Sequence, residues 1–181
     1  MKNFQYIFII LLLIPFSLQA QDFKKHCISG EEEKLYNLIN DYRKEQNLPE
    51  IKLSKSLSYV AKAHCIQLAD SIQELTHAWL QCDYRTYDAS TYACMWEKPM
   101  ELTNYTGYGY ENAFVVYGDN ATAEKALAGW KSSKFHNDVI LNKNMWKDLN
   151  WKAIGIGIYK NFATVWFGEE KDIEGNPVLC N

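Results

Sequence analysis

The amino-acid sequence predicts helices packed on a small antiparallel sheet, an α+β or α-β-α layered domain. Three observations predict it. Apolar residues recur at helical spacing in two early segments: Leu35, Leu38, Ile39 and Tyr42, then Leu57, Val60, Ala61, His64 and Leu68. Near the C-terminus, Ala153-Ile154-Gly155-Ile156-Gly157-Ile158 alternates with period two, Tyr159-Lys160-Asn161 turns, and Phe162 to Phe167 returns, which is a hairpin pattern. Shorter helical patterns lie just before that hairpin. Helices packed on a small sheet give a layered domain.

The elements follow in chain order. Lys2, the apolar run Phe4 to Leu18 with Pro15 inside it, and the small residue Ala20 read as an export signal over residues 1–20. The core of that run, Tyr6 to Ile14, is too short to span a bilayer of roughly 30 Å, so no stable membrane insertion is expected. An uncleaved anchor is the alternative. Gln21 stands where a lipoprotein would carry cysteine. Cleavage leaves one domain over residues 21–181, long enough for a real core. Ser29 and Glu32 form a capping-box pattern ahead of a helix from about Gly30 to Gln46. Ile51 and Leu53 suit a short extended link. Ser54 caps a second helix that fades near Asp70 or Ser71. Ala123 to Lys131 forms a third helix, and a short fourth carries His136, Val139 and Ile140. Gly155 and Gly157 leave one sheet face bare, so another element is expected to pack close there.

The segment Glu74 to Tyr110 differs. It holds Trp79, Tyr84, Tyr87, Tyr92, Trp96, Tyr105, Tyr108 and Tyr110 with little periodicity, and it reads as one long loop. Its aromatic load argues against disorder. These rings either pack the loop itself or face a ligand.

The net charge of −3 and the lack of a long basic stretch exclude nucleic acid as the expected partner. All five cysteines follow the export signal, where disulfides are permitted. No CxxC spacing occurs, which excludes a zinc knuckle and a thioredoxin motif. Cys65 lies in a helical pattern and is expected to be the buried free thiol. Cys82 with Cys94 would close the aromatic loop, a closure worth about 3 kcal/mol. Cys27 with Cys180 would tie the two termini. The other connectivities of four cysteines stay open at this point.

Several fragments carry polar chemistry. They are Leu38-x-x-x-Tyr42-Arg43 with Leu48-Pro49; Ala61-x-x-His64-Cys65-x-x-Leu68-Ala69; Thr76-His77; Gly109-Tyr110-Glu111-Asn112; Gly129-Trp130-x-x-Ser133-x-x-His136 with Ile140-Leu141-Asn142; and the hairpin ending Val165-Trp166-Phe167-Gly168. In this order they resemble the CAP superfamily of cysteine-rich secretory proteins, antigen 5 and pathogenesis-related proteins, in its bacterial SCP-domain branch. The resemblance spans about Gly30 to Phe167. It implies a CAP-type sandwich with a cleft lined by two histidines and acids, able in some members to hold a divalent metal. The matching positions are His77, Glu111 and His136. A second glutamate of the family pattern is replaced by Ser133, so the set is incomplete.

Two imidazoles and one carboxylate also match an open zinc site. Without metal, Glu111 could set a histidine tautomer for acid–base work. A third reading is a satisfied polar network that only locks the loop to the helices. His64, on an apolar stripe, is expected to be a satisfied core histidine, and His26 to be solvated. Ser133 and His136 suggest a nucleophile pair, but no G-x-S-x-G elbow surrounds Ser133, and a helix cap is the expected role. Asn104 and Asn120 head glycosylation sequons. The sequence thus points to a secreted or periplasmic, monomeric binding module for a lipid, sterol, glycan or extracellular protein. A metal-dependent peptide or ester hydrolase and a structural envelope protein are the alternatives.

Overall fold

Helix α1 (Gly30–Glu45) starts at a true capping box. Ser29 Oγ accepts from Glu32 N, and the Glu32 carboxylate accepts from Ser29 N at 2.7 Å. Glu32 is buried, and its other oxygen accepts from Ile158 N and Lys62 Nζ. One carboxylate therefore begins the helix and ties it to the hairpin. At the far end, buried Arg43 donates to the Ile140 carbonyl and to Asn142 Oδ1. This explains why Tyr42-Arg43 and Ile140-Leu141-Asn142 occur together in the sequence.

The structure, a computed structural model, describes residues 23–181. The expected export signal over residues 1–20 lies outside the described residues. After β1 (Cys27–Ile28) and α1 come β2 (Lys52–Leu53) and α2 (Lys55–Gln67), the latter capped by Ser54. A π-helical turn over Leu68–Ile72 ends α2. Short helices α3 (Ala93–Trp96) and α4 (Lys98–Leu102) break up the aromatic segment. β3 (Tyr110–Val115), α5 (Ala123–Ser132), α6 (Lys134–Ile140), β4 (Ala153–Tyr159), β5 (Phe162–Gly168) and β6 (Val178–Leu179) complete the order.

The main sheet runs β2-β4-β5-β3. Pairs β4–β5 and β3–β5 are antiparallel, but β2 lies parallel to β4, so the sheet is mixed rather than purely antiparallel. The reason is connectivity. β2 and β4 are joined through helices, not a hairpin, and a crossover permits parallel pairing. A two-stranded sheet, β1–β6, joins the chain ends beside the Cys27–Cys180 disulfide. Cys82–Cys94 closes the aromatic segment, and Cys65 is buried and free.

The two sheet faces bury separate cores. Ile154, Ile156, Val165 and Phe167 face α1, α5 and α6. Trp166 and Ala153 face α2, with Leu57, Val60, Ala61 and Trp79. Alternation along the strands makes this the three-layer architecture expected. Gly155 and Gly157 let α2 lie against the bare strip. A Cβ on Gly155 would meet the Leu57 carbonyl carbon at 2.0 Å, and one on Gly157 the Ala61 carbonyl carbon at 2.4 Å. No helix among the described residues is long and apolar enough to cross a membrane.

Because backbone rather than a flexible side chain occupies those positions, Gly155→Ala and Gly157→Ala should each cost about 3 kcal/mol or more of unfolding free energy. Gly30, with nothing within 4 Å of its position, serves as the control. Gly30→Ala should leave the urea midpoint nearly unchanged. Equal stability of all three variants would show that α2 does not seat on β4 as described.

Candidate functional site

Strand β3 carries the centre of the site. The structure places Glu111 in the sheet, just past the aromatic segment and opposite Trp166 on β5. The two side chains therefore share one face, the face that α2 covers. The Glu111 side chain is fully buried. Three donors reach it. His64 Nδ1 from α2 lies 2.6 Å from Oε1, and Trp166 Nε1 donates to the same oxygen at 2.9 Å. His77 Nδ1 lies 2.7 Å from Oε2. Burial by itself would raise the carboxyl pKa, but the two histidines outweigh it and hold Glu111 down to about 2. It is an anion at any ordinary pH.

That charge dictates the hydrogens on its neighbours. His64 Nε2 lies 3.0 Å from the Ala78 carbonyl, and Nδ1 faces the ionised carboxylate. Both partners only accept, so both His64 nitrogens must carry hydrogen. His64 and Glu111 form a buried ion pair. Trp79 stacks on the His64 ring at 4.5 Å. His77 likewise gives its Nδ1 hydrogen to Glu111, which leaves Nε2 as the nitrogen available to solvent. The His77 side chain is 24 % exposed.

The next residue, Asn112, points to the opposite sheet face. Its Nδ2 donates to the His136 carbonyl at 2.9 Å and so ties α6 to the strand. Asn112 Oδ1 is buried and lacks a donor. His77 and His136 line one pocket of about 230 Å³, with Thr76, Tyr84, Thr86 and Ala113. Burial first, then the neighbouring His77, lowers the His136 pKa, against an opposing pull from Glu111. Its imidazole is neutral near pH 7.

The expected site residues thus separate. His77 and His136 meet at one pocket, and Glu111 supports His77 from beneath. Ser133 does not line this pocket. It holds the N-cap position of α6 without a side-chain capping bond. Its backbone N–H instead closes α5 on Gly129 and Trp130. The three-ligand zinc set is not assembled as expected, because both Glu111 oxygens are already held by protein donors. Among the described residues, no group of three or more His, Cys, Asp or Glu is arranged to hold a metal ion. Two imidazole nitrogens are what the pocket offers. His64 is the satisfied core histidine expected, but its bond to Glu111 was not foreseen, nor were the roles of Trp166 and Asn112. The available signal was a polar ring on an apolar stripe, which needs buried partners. His26 is not solvated as expected. It is half-buried, its Nε2 has no partner, and desolvation lowers its pKa to about 4.

The loop aromatics pack largely on one another. Rings run from His77 through Tyr84, Tyr92 and Trp96 to Tyr110, each step within 5.7 Å. This ladder braces the pocket wall, which its first two members, His77 and Tyr84, line.

Sequence and structure comparisons agree. The model of the cysteine-rich secretory protein family, CAP, matches residues 36–167. No curated protein matches the chain in sequence. Among solved structures, an extracellular protein of Bacillus anthracis containing an SCP domain is similar at TM-score 0.60 and 20 % identity, over 78 % of this chain and 41 % of that one. An outer surface protein of Borrelia burgdorferi is similar at TM-score 0.58 and 20 % identity, over 81 % and 99 %. A cysteine-rich secretory protein of Staphylococcus aureus gives TM-score 0.52 at 16 % identity, over 77 % and 39 %. The chain thus spans well under half of the Bacillus and Staphylococcus proteins and nearly all of the Borrelia one. At these identities the likeness concerns the fold.

A buried acid with a depressed pKa stabilises the fold above its unfolded pKa, near 4.5, and loses that contribution as pH falls toward about 2. Stability should therefore fall across that window. Glu111→Gln should cost roughly 3–5 kcal/mol at pH 7, as for one half of a buried ion pair, and should flatten the acid limb. Urea unfolding at a series of pH values measures both, and an unchanged acid limb in the variant would contradict the arrangement.

Proposed function

The chain belongs to the cysteine-rich secretory protein (CAP) family, and on that premise we propose that it is an exported binding module whose His77–His136 pocket takes a small polar ligand, with a divalent metal ion suited to it. One observation carries this reading. Glu111, the acid a hydrolytic centre would use, is spent on His64, His77 and Trp166. Its side chain is fully buried beneath those donors, which keeps it from activating a water in the pocket. No serine or cysteine lines the pocket beside the two imidazoles.

Pocket size supports the same view. About 230 Å³ is below the usual range of roughly 300–1,000 Å³ for drug-sized ligands. An ion or a compact polar group fits, whereas a sterol or long acyl chain does not. His77 Nε2 and the neutral His136 ring are suited to a zinc ion, whose remaining positions would go to water or to a partner's group. The Glu111 bond to His77 then acts as an outer support that fixes the ring's tautomer and direction. The two disulfides and the extracellular character named for the Bacillus relative support export.

Calorimetry with zinc chloride on the chain lacking residues 1–20 tests the proposal. Uptake of one zinc is expected near neutral pH, abolished by His77→Ala and by His136→Ala. Glu111→Gln should weaken it by about 10–100-fold. Absence of uptake, together with ester or peptide turnover that depends on His136, would replace the binding module by a hydrolase.

A further inference from the structure

Tyr84 lines the His77–His136 pocket, yet its hydroxyl makes no hydrogen bond among the described residues. We infer that the Tyr84 phenol sets the specificity of this pocket by donating its hydrogen to an oxygen of a bound carboxylate. This rests on the metal-binding reading of the same pocket and names the ligand that completes it.

The Tyr84 ring is fixed from several sides. It packs across His77 at a centroid distance of 5.1 Å and stacks on Tyr92 at 5.2 Å. Tyr92 is held in turn by Trp96, and its own hydroxyl donates to the Thr86 carbonyl at 2.5 Å. Tyr84 and Tyr92 each lie two residues inside the Cys82–Cys94 disulfide, which closes the segment behind the stacked pair. A cross-link, a ring stack and a bond to backbone thus converge on one side chain and leave its polar end unused. Ordering a mobile side chain costs a ligand about 0.5–1.5 kcal/mol. Here that freedom is already lost before a ligand arrives.

The lining dictates the ligand class. Besides the two imidazoles it carries the hydroxyls of Thr76, Tyr84 and Thr86, and no Asp, Glu, Lys or Arg. Thr76 Oγ1 accepts from Ala78 N at 3.0 Å, so its hydrogen remains to be donated. A phenol holds its hydrogen at neutral pH. The Glu111 anion is matched by His64. A metal dication on the two imidazoles would therefore bring positive charge that no carboxylate lining the pocket balances. A ligand carboxylate balances it, and its two oxygens can serve the metal and the hydroxyl donors together. A neutral amide or alcohol of the same size lacks the charge. Phosphate recognition favours Arg and Lys, and neither lines the pocket.

¹³C spectra of the chain lacking residues 1–20, labelled at the tyrosine ζ-carbon and saturated with zinc, read the phenol directly. Tyr84→Phe identifies the Tyr84 resonance by its loss. Sodium acetate should move that resonance saturably, whereas acetamide, its uncharged analogue, should not. Tyr84→Phe keeps the ring and its stack and removes only the donor. Acetate binding to the zinc-saturated variant, measured by calorimetry, should therefore weaken about tenfold, the size of one hydrogen bond to an anion. Tyr87→Phe, in the same segment at a fully exposed position outside the lining, should bind acetate as the parent does. Three results would each overturn this inference and leave the metal site standing: zinc uptake with a Tyr84 resonance that acetate does not move, undiminished acetate binding in Tyr84→Phe, or inorganic phosphate moving the resonance while acetate does not. Absence of zinc uptake by the parent would overturn both.

Discussion

The Glu111 carboxylate is the constraint on which the rest of the site depends. A fully buried anion carries a large desolvation cost, and it persists only where donors surround it. Here the donors come from three separate parts of the chain: His64 on α2, His77 beyond the π-helical turn, and Trp166 on β5. Each must be in place for the charge to be tolerated. The two glycines of β4 make this reachable, because they let α2 descend until His64 meets the strand. Close packing of the helix and charge pairing are therefore one requirement, not two.

The same arrangement divides labour along β3. Glu111 serves the α2 face and Asn112 the α6 face, so adjacent residues position His77 and His136 from opposite sides of one strand. The negative charge stays inside, while the imidazoles of His77 and His136 line the pocket. Swapping the two side chains would reverse which face each one serves.

Much of this was legible in the sequence. Period-two alternation announced the hairpin, and Gly155 with Gly157 announced the close approach of a helix. The positions of Cys27 and Cys180 near the two ends, and of Cys82 and Cys94 around the aromatic segment, anticipated both disulfides. What escaped were features that depend on distant partners. Ala93–Trp96 and Lys98–Leu102 are too short to show a helical period. β3 begins at Tyr110, the last residue of the aromatic segment, so no break in composition marks its start. The parallel pairing of β2 is fixed by the crossover, which no local pattern encodes. His64 looked like core because it is core. Only the fold reveals that 47 residues separate it from the acid it neutralises.

Long-range ¹⁵N–¹H correlation spectra of the histidine rings at neutral pH test the central claim most directly. The account predicts hydrogen on both nitrogens of His64, and on Nδ1 of His77. A bare nitrogen on His64, or His77 carrying its single hydrogen on Nε2, would mean that Glu111 does not hold the site together in this way.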